Sequence, residues 1–232
     1  MSAKKNDIVE LLYTGYTNGN VFDSNIEADL KEAKSEAKAR KTIIVIGQNM
    51  VPAGLDKALE GKDEGKEYKI DLKAKEAFGE RDRTLLKTIP LKVFTEKRIM
   101  PRPGMAFVID DALVKVVAVS GARVITDFNN PLAGKDVSYK YSIKKILTDD
   151  KEKASALFEN LLRFVPQFDI NDKEIIVKGQ KALELFVNAF KNKFKDILGK
   201  ELKFQEVKPV ETEKKTEDKK EKVVAKTEEK KN

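Results

Sequence analysis

Apolar residues in the first part of the chain occur in short runs or at every second position, which is the pattern of β-strands. Residues 8–13 and 43–46 are mainly apolar runs, and residues 68–72 alternate between apolar and charged side chains. The Asn-Gly pair at residues 18–19 favours a tight hairpin turn, because both residues tolerate a positive φ. The pattern therefore predicts several strands, and residues 21–23 would return beside the first of them.

Two segments between these strands carry helical features instead. Leu55, Ala58 and Leu59 place apolar side chains on one face of a helix, and Gly61 marks its end. Residues 27–41 have no strong apolar stripe, but they are rich in Ala, Lys and Glu and place opposite charges four positions apart. We therefore expect a short packed helix in the first case and, over residues 27–41, a solvated helix within a loop in the second.

The middle of the chain has its own β-rich pattern. Three runs, at residues 106–109, 113–119 and 123–126, are separated by turn residues, which predicts a small separate β domain. A turn-rich stretch over residues 127–135 follows, and then a strand that contains Tyr139. If this last strand joins the first group of strands, the first domain is discontinuous and the β domain is inserted into it.

The periodicity becomes helical towards the C-terminus. Apolar stripes over residues 157–165 and 183–197 predict two helices, with short strands between and after them. This segment would form an α/β domain of about sixty residues, which is marginal alone because a small domain buries little surface. A homodimer through this domain is one expectation, with Phe190 and Phe194 as contacts, and packing on the rest of the chain is the other. Residues 208–232 are Lys/Glu-rich without an aromatic residue, which predicts a disordered tail.

Composition excludes several kinds of chemistry. The chain of 232 residues contains no Cys and no His, so it cannot build a thiolate nucleophile, an imidazole base, a disulfide or an ordinary structural zinc site. We therefore expect neither a metal nor a cofactor. The 46 basic and 39 acidic residues give a net charge of +7, but the two signs are interspersed, so we expect no specific nucleic-acid partner. No apolar run reaches the roughly 18 residues of a membrane span and no secretory signal is present, so we expect a cytoplasmic protein without a membrane partner.

Two local motifs are better explained by turn and helix chemistry than by a binding site. Residues 61–66 are similar to a phosphate-binding loop, but the spacing is one residue short and no Ser or Thr follows the Lys to hold magnesium. The acidic pairs Asp110-Asp111 and Asp149-Asp150 fall at a predicted turn and a predicted helix start, where carboxylates are common. We therefore predict no metal site at either pair.

An ordered set of short motifs in the first part of the chain resembles the FKBP family of peptidyl-prolyl isomerases. Each motif alone is weak, but their order and approximate spacing are together specific. The motifs are Leu12-Tyr13-Thr14-Gly15, Val21-Phe22-Asp23-Ser24, Ile46-Gly47, Val51-Pro52-Ala53-Gly54-Leu55, Ala58-Leu59-Glu60-Gly61, Gly65 and Ala77-Phe78-Gly79-Glu80-Arg81-Asp82. The segment that follows, with its turn-rich exit, resembles the insert-in-flap arrangement of SlyD-like and archaeal long-type members. Residues 148–207 resemble the C-terminal extension of the long archaeal type.

The resemblance implies an α+β fold in which a curved antiparallel sheet packs on a short helix. The isomerase domain would be discontinuous, over residues 1–83 and 128–148, and a β-rich insert-in-flap chaperone domain would occupy residues 84–127. A C-terminal α/β domain over residues 149–207 and a disordered tail over residues 208–232 would complete the chain.

The resemblance also implies an apolar pocket between the sheet and the helix. Its residues, carried over by position, would be Tyr13, Phe22, Asp23, Val51, Leu55, Phe78 and Tyr139. Three positions depart from the family pattern: Phe78 lacks a usual tyrosine hydroxyl, Pro52 lacks an N–H group that often serves the ligand, and Leu55 replaces the large aromatic residue of some members. A dry pocket could lower the X-Pro rotation barrier of about 20 kcal/mol without a nucleophile or a metal. Asp23 would orient a dipole rather than transfer a proton.

We therefore expect a peptidyl-prolyl cis-trans isomerase that acts on unfolded, proline-containing polypeptides. The insert carries more apolar residues than a domain of its size can bury, which suits transient binding of an unfolded chain. The expected client contacts are Ile89, Leu91, Val93, Phe94, Met100, Met105, Phe107 and Ile109. The alternative is a holdase chaperone with weak or no isomerase activity, which the departures at Pro52 and Phe78 favour.

Overall fold

The computed structural model describes residues 1–109 and 112–207. These residues divide into two compact units, Met1–Phe164 and a second unit that starts at Val165. The predicted turn at Asp110-Asp111 and the predicted disordered tail over residues 208–232 lie outside the described residues. Within the described ranges, no helix is both long enough and apolar enough to cross a membrane.

An antiparallel sheet of five strands forms the centre of the first unit. Strands β1 (Ile8–Thr17) and β9 (Val137–Ile146) pair with each other along most of their length. The other edge of β1 pairs with β2 (Asn20–Ser24) in one half and with β3 (Thr42–Val45) in the other, and β4 (Glu67–Leu72) lies beside β9. A strand from late in the sequence therefore completes a sheet that starts at the N-terminus.

The local sequence explains the turn and the first helix in this unit. Asn18 and Gly19 have φ angles of 49° and 78°, which confirms the predicted hairpin turn. Helix α1 covers Glu27–Glu32, and residues 33–41 are not helical, so the helical part of the predicted helix and loop is its first two turns. Leu30 is the buried residue of α1, and without an apolar stripe the following turns lack the packing that stabilises a short helix.

Helix α2 (Ala53–Leu59) packs its apolar face against the sheet. Leu55 and Leu59 are 1% and 0% exposed, which confirms the helical face predicted from their spacing. They share one hydrophobic core with Ile46, which follows β3, and with the inward-facing side chains of the strands, including Val9, Leu11, Tyr139, Tyr141 and Ile143. The core therefore lies between one face of the sheet and this helix.

A second antiparallel sheet is inserted between β4 and β9. It contains β5 (Leu86–Pro90), β6 (Ala106–Ile109), β7 (Ala112–Ser120) and β8 (Arg123–Asp127), in the spatial order β5-β8-β7-β6. The last three confirm the strands predicted from the β-rich runs. Helix α3 (Leu91–Glu96) follows β5, and Phe94 from this helix packs with Val116 and Val124 in a small core.

The points where the chain leaves and re-enters the first sheet are tied together by polar side chains. The amide oxygen of Asn129 accepts a hydrogen bond from the Asp82 N–H group at 2.8 Å, and its Nδ2 donates to the Asp82 carbonyl oxygen at 2.9 Å. Arg81 forms an ion pair with Asp127 across the same junction. Burial alone would raise the pKa of Asp127, but hydrogen bonds from Asn129 and the charge of Arg81 lower that pKa below its ordinary value. Both ends of the insert are thus held at one place.

Helix α4 (Asp150–Leu162) belongs to the first unit. The Asp149 carboxylate accepts a hydrogen bond from the Glu152 N–H group at 2.8 Å, which confirms the predicted helix start. Near its end, Asn160 Nδ2 donates to the Ile43 carbonyl oxygen at 3.1 Å. The helical periodicity predicts this helix as part of the C-terminal domain, whereas the first compact unit of the structure extends to Phe164.

The second unit is a three-stranded sheet with one long helix. Strands β10 (Gln167–Ile170) and β11 (Glu174–Gly179) are antiparallel, and β12 (Glu201–Glu206) runs parallel to β11 after helix α5 (Ala182–Leu198). This confirms the predicted long helix and both predicted short strands, and adds β10. Phe194 is 0% exposed, so it is a core residue of this unit and not the exposed contact that the sequence suggested.

Candidate functional site

The pairing of β1 with β2 and β9 brings residues of all three strands together on one side of the aromatic site. Gly15 of β1 lies opposite Asp23 of β2 on one side and opposite Tyr139 of β9 on the other. Residues that pair directly across strands project from the same face of a sheet, and so do residues two positions apart in one strand. Asp23, Tyr139 and Tyr13 therefore share a face with Gly15, although they are far apart in sequence.

A β-bulge adds Phe22 to this face. Gly15 pairs with Asp23 and the next residue, Tyr16, pairs with Val21, which leaves Phe22 without a partner in β1. An extra residue in one strand interrupts the alternation of side chains, so two successive side chains can project to the same side. The Phe22 ring packs against Tyr139 while Asp23 accepts a hydrogen bond from Tyr13, so both lie on the site face.

Aromatic rings pack edge to face around Phe22. Its ring centroid lies 5.8 Å from that of Tyr139 and 5.7 Å from that of Phe78, with an interplanar angle of 83° in each case. The Tyr13 and Tyr139 centroids are 6.2 Å apart at 60°. These distances are typical of favourable aromatic pairs. The structure therefore brings four of the predicted site residues into one cluster.

Helix α2, the residue Val51 just before it and the segment around Phe78 supply further apolar side chains. Leu55 is 1% exposed, and Val51 is half-buried just before the helix. Both belong to the core cluster that contains Phe22 and Tyr139. Phe78 reaches the same cluster from the segment after a short 3-10 turn, Ala74–Glu76. All seven residues carried over from the resemblance are thus near one another, and their contact with a substrate stays a prediction.

Two residues that the sequence analysis did not select also shape the site. A Cβ atom on Gly15 would lie 2.5 Å from Phe22 Cζ and 2.9 Å from Tyr139 Cε1, so both rings rest directly on the backbone of β1. A glycine within a predicted strand often marks a place where other atoms come close to the backbone, so Gly15 could have been selected from the sequence on that ground. The second residue is Asp56, which is 4% exposed and accepts hydrogen bonds from the N–H groups of Gly47 and Asn49 at 2.9 and 2.8 Å. It fixes the turn that precedes Val51.

The polar groups of the site are hydrogen-bond donors and acceptors rather than a proton-transfer pair. Tyr13 Oη donates to Asp23 Oδ2 at 2.8 Å. Burial, together with this hydrogen bond, raises the pKa of Tyr13 far above its ordinary value. Burial and the nearby charge of Asp23 raise the pKa of Tyr139 in the same direction. Both phenols therefore stay protonated at neutral pH, and the site can bind and desolvate a neutral group.

The predicted client contacts of the insert differ widely in exposure. Val93, Met100 and Met105 are 44%, 71% and 38% exposed. The half-buried residues are Ile89, Leu91, Phe107 and Ile109. Phe94 is 4% exposed and forms the insert core, so the structure places it away from any client surface because α3 turns it towards β7 and β8. Exposed apolar residues that the sequence analysis did not select are Leu86, Val108, Leu113 and Val117.

A groove of about 530 Å³ lies elsewhere against the first sheet. It is lined by Tyr16, Glu67, Lys69, Ser138 and Lys140, among others. Glu67 and Lys140 pair with each other at 3.1 Å and are largely exposed. This groove is open and charged, whereas an apolar ring such as proline gains most from the dry aromatic cluster, so we take the cluster as the candidate site.

Comparison with known proteins assigns a family to the two parts of the first unit. Residues 1–93 match the FKBP-type peptidyl-prolyl cis-trans isomerase family, and residues 87–132 match the insert-in-flap domain family described as FKBP26, IF domain. The first of these matches covers β1, β2, α2 and Phe78 of the aromatic cluster, whereas Tyr139 lies beyond it on β9. The second covers the inserted sheet.

Individual relatives extend over both parts. The chain is 27% identical to the short-type peptidyl-prolyl cis-trans isomerase of Methanocaldococcus jannaschii over 152 residues, which are 64% of this chain and 97% of the relative. It is 30% identical to the SlyD isomerase of Treponema pallidum over 145 residues, which are 58% of this chain and 81% of that protein. The chain therefore belongs to the family of FKBP-type peptidyl-prolyl cis-trans isomerases and carries an insert-in-flap domain.

Proposed function

We propose that this isomerase acts on proline-containing segments of unfolded polypeptides, with the aromatic cluster as its active site and the insert as a client-binding surface. The observation that carries the proposal is the cluster itself, in which a β-bulge directs Phe22 and Asp23 to one face beside Tyr139 and Phe78. Most of this cluster lies on the part of the chain that matches the isomerase family, and β9 adds Tyr139.

The proposed reaction is rotation about the X-Pro amide bond without covalent chemistry. The barrier of about 20 kcal/mol reflects amide resonance, which separates charge between nitrogen and oxygen. A proline ring seated against Phe22 and Phe78, which are both half-buried, would take the amide out of water. The twisted amide carries less separated charge than the planar one, so a dry apolar site stabilises it relative to the ground state. Asp23 holds the Tyr13 hydroxyl at 2.8 Å and thereby fixes the polar edge of the site.

The insert offers exposed apolar side chains for a client. Val108 and Leu113 are paired across the hairpin of β6 and β7 and are 72% and 49% exposed, and Met100 is 71% exposed. An exposed apolar surface of this kind favours contact with unfolded chains, and the flexible Met side chain adapts to different sequences. The insert would hold a client near the aromatic cluster while its X-Pro bonds rotate.

The test compares a short peptide with an unfolded protein as substrate. Phe22→Ala should lower kcat/KM for a tetrapeptide and for proline-limited refolding alike, because both reactions use the cluster. The double variant Val108→Ser/Leu113→Ser should lower only the catalysis of refolding. Lys115→Ser, on the exposed side of β7 next to Leu113, is the matched control for the insert. Equal effects of the double variant on both substrates would contradict the holding role.

A holdase chaperone with weak or no isomerase activity is the second candidate. Two observations favour it: Phe78 brings no hydroxyl to the cluster, and Pro52 at the start of α2 has no N–H group to donate. A holdase would suppress aggregation of an unfolded protein but would leave tetrapeptide isomerisation at or near the uncatalysed rate. If the intact chain isomerises the tetrapeptide well above the uncatalysed rate, the isomerase function is supported and the holdase alternative is excluded.

The other sequence-based expectations concern location, partners and domain limits. The cytoplasmic location, the lack of a specific nucleic-acid partner and the domain boundaries stay predictions. A homodimer through the second unit also stays one. Leu185 of α5 is 78% exposed and is therefore an apolar residue available for a contact with a second copy. The mass of the full chain in sedimentation equilibrium measures the oligomeric state directly.

A further inference from the structure

The hydroxyl of Tyr139 is an unused hydrogen-bond donor at the centre of the aromatic cluster. The residue as a whole is 2% exposed, and its ring packs against both Phe22 and Tyr13. Within the described residues, its Oη atom has no hydrogen-bond partner. No fully buried side-chain oxygen of those residues lacks a partner, so this hydroxyl must be in contact with solvent. A buried ring thus carries a hydroxyl that keeps a small contact with solvent.

The pairing of the strands shows where this ring lies. Tyr139 starts on β9, and its Cε1 atom lies over Gly15 on the neighbouring strand β1. The ring therefore extends from β9 across β1 towards β2, where Asp23 is located. The influence of the Asp23 charge on the Tyr139 phenol is consistent with this placement. Asp23 and Tyr139 thus flank Gly15 on the same face of the sheet, so the Tyr139 ring lies near the polar edge of the cluster.

The other side chains of the cluster have no donor to offer. The hydroxyl of Tyr13 already donates to Asp23 at 2.8 Å. Phe22, Phe78 and the two aliphatic side chains of the site carry no polar atoms, and proline at the start of α2 has no N–H group. A bound peptide brings carbonyl oxygens into this desolvated place, and an unpaired carbonyl there would cost binding energy. Tyr139 is the side chain of the cluster that can satisfy one of them.

We propose that Tyr139 is a catalytic residue whose hydroxyl donates a hydrogen bond to a carbonyl oxygen of the bound X-Pro segment. This inference rests on the proposed function and names the polar contact that orients the substrate. The phenol stays protonated because burial and the neighbouring carboxylate disfavour its anion. The donor is therefore present over the whole range from acidic to mildly alkaline pH.

Tyr139→Phe tests the proposal, since it removes the hydroxyl and keeps the ring. We expect kcat/KM for a proline tetrapeptide to fall roughly three- to tenfold, the effect of losing one neutral hydrogen bond. The urea midpoint should not change, because the hydroxyl has no partner within the described protein. Tyr141→Phe is the matched control from the same strand. Its hydroxyl donates to the Ala58 carbonyl oxygen at 3.2 Å, so this variant should lose stability and keep its activity.

A second variant pair separates direct contact from an effect through Asp23. The Tyr139→Phe change is repeated in an Asp23→Ala background, and kcat/KM and the Kd of the same peptide are measured. A direct hydrogen bond predicts a loss in both backgrounds. Loss only when Asp23 is present would overturn the proposal, since the hydroxyl would then act on the carboxylate. Retention of kcat/KM within twofold in Tyr139→Phe would also overturn it. If the intact chain itself shows no isomerisation above background, the proposed function fails instead.

Discussion

The close packing of two rings on Gly15 leads to a quantitative prediction for Gly15→Ala. The new Cβ atom would lie 2.5 Å from Phe22 Cζ and 2.9 Å from both Phe22 Cε1 and Tyr139 Cε1. Carbon atoms in contact prefer separations of about 3.5 to 4.0 Å, so the Phe22 ring must move by roughly 1 Å. Because the Phe22 ring also contacts Phe78, the shift is transmitted through the cluster.

The size of the effect follows from two opposing terms. Overpacking of a well-packed core typically costs about 1 to 3 kcal/mol. Gly15 does not have a positive φ, so alanine adds no backbone strain and lowers the entropy of the unfolded chain, which stabilises by about 0.4 to 1 kcal/mol. We therefore expect a net loss of about 0 to 2.6 kcal/mol in the free energy of unfolding. The displaced ring should also lower kcat/KM for a tetrapeptide.

Urea unfolding and a tetrapeptide isomerisation assay measure both effects. The double variant Gly15→Ala/Phe22→Leu serves as the control for the cause, because leucine lacks the Cζ and Cε1 atoms that meet the new methyl group. The double variant should lose less free energy of unfolding than the two single variants lose together, because the shorter side chain relieves the clash. If Gly15→Ala changes neither the urea midpoint nor kcat/KM, the rings do not rest on β1 and the geometry of the site is wrong.

Three further predictions concern polar residues that support the fold. Asp56→Ala leaves unpaired the two backbone N–H groups that it holds, so the free energy of unfolding should fall by about 1.5 to 3 kcal/mol in urea unfolding, with Asp56→Asn losing less. The Lys144 hydrogen bond lowers the pKa of Glu10 below its ordinary value, so this pair stabilises above about pH 4.3 and the contribution is lost as pH falls through the folded pKa. Glu10→Gln should therefore reduce the fall in Tm as the pH is lowered. An unchanged dependence of Tm on pH would contradict this. Asn129→Ala removes both hydrogen bonds to Asp82, so catalysis of protein refolding should fall more than tetrapeptide turnover, and equal losses would speak against a role in positioning the insert.

Local sequence rules determined the elements whose signals lie within a few residues. The Asn-Gly turn, the alternating strand over residues 68–72 and the apolar face of α2 depend on backbone preference and side-chain spacing, and the structure confirms all three. The length of α1 could not be predicted in this way. A short helix is stable only where tertiary contacts support it, and α1 has one buried residue, Leu30.

The insert shows the limit of reasoning from hydrophobicity. Its surplus of apolar residues was evident from the sequence, but which of them lie inside was not. Phe94 is buried while Val108 is 72% exposed, because the turn of α3 and the pairing of β6 with β7 decide the direction of each side chain. Apolar character alone does not distinguish a core residue from a binding surface.

Short-range patterns in the chain predict most of the strands, the short helix and the family resemblance, and through that resemblance the seven candidate site residues. How these residues meet depends on the tertiary structure. The bulge at Phe22, the close approach of the rings to Gly15 and the free hydroxyl of Tyr139 all depend on the register between β1, β2 and β9. Register arises from pairing between segments that are more than a hundred residues apart in the case of β1 and β9, so no local pattern in the chain encodes it.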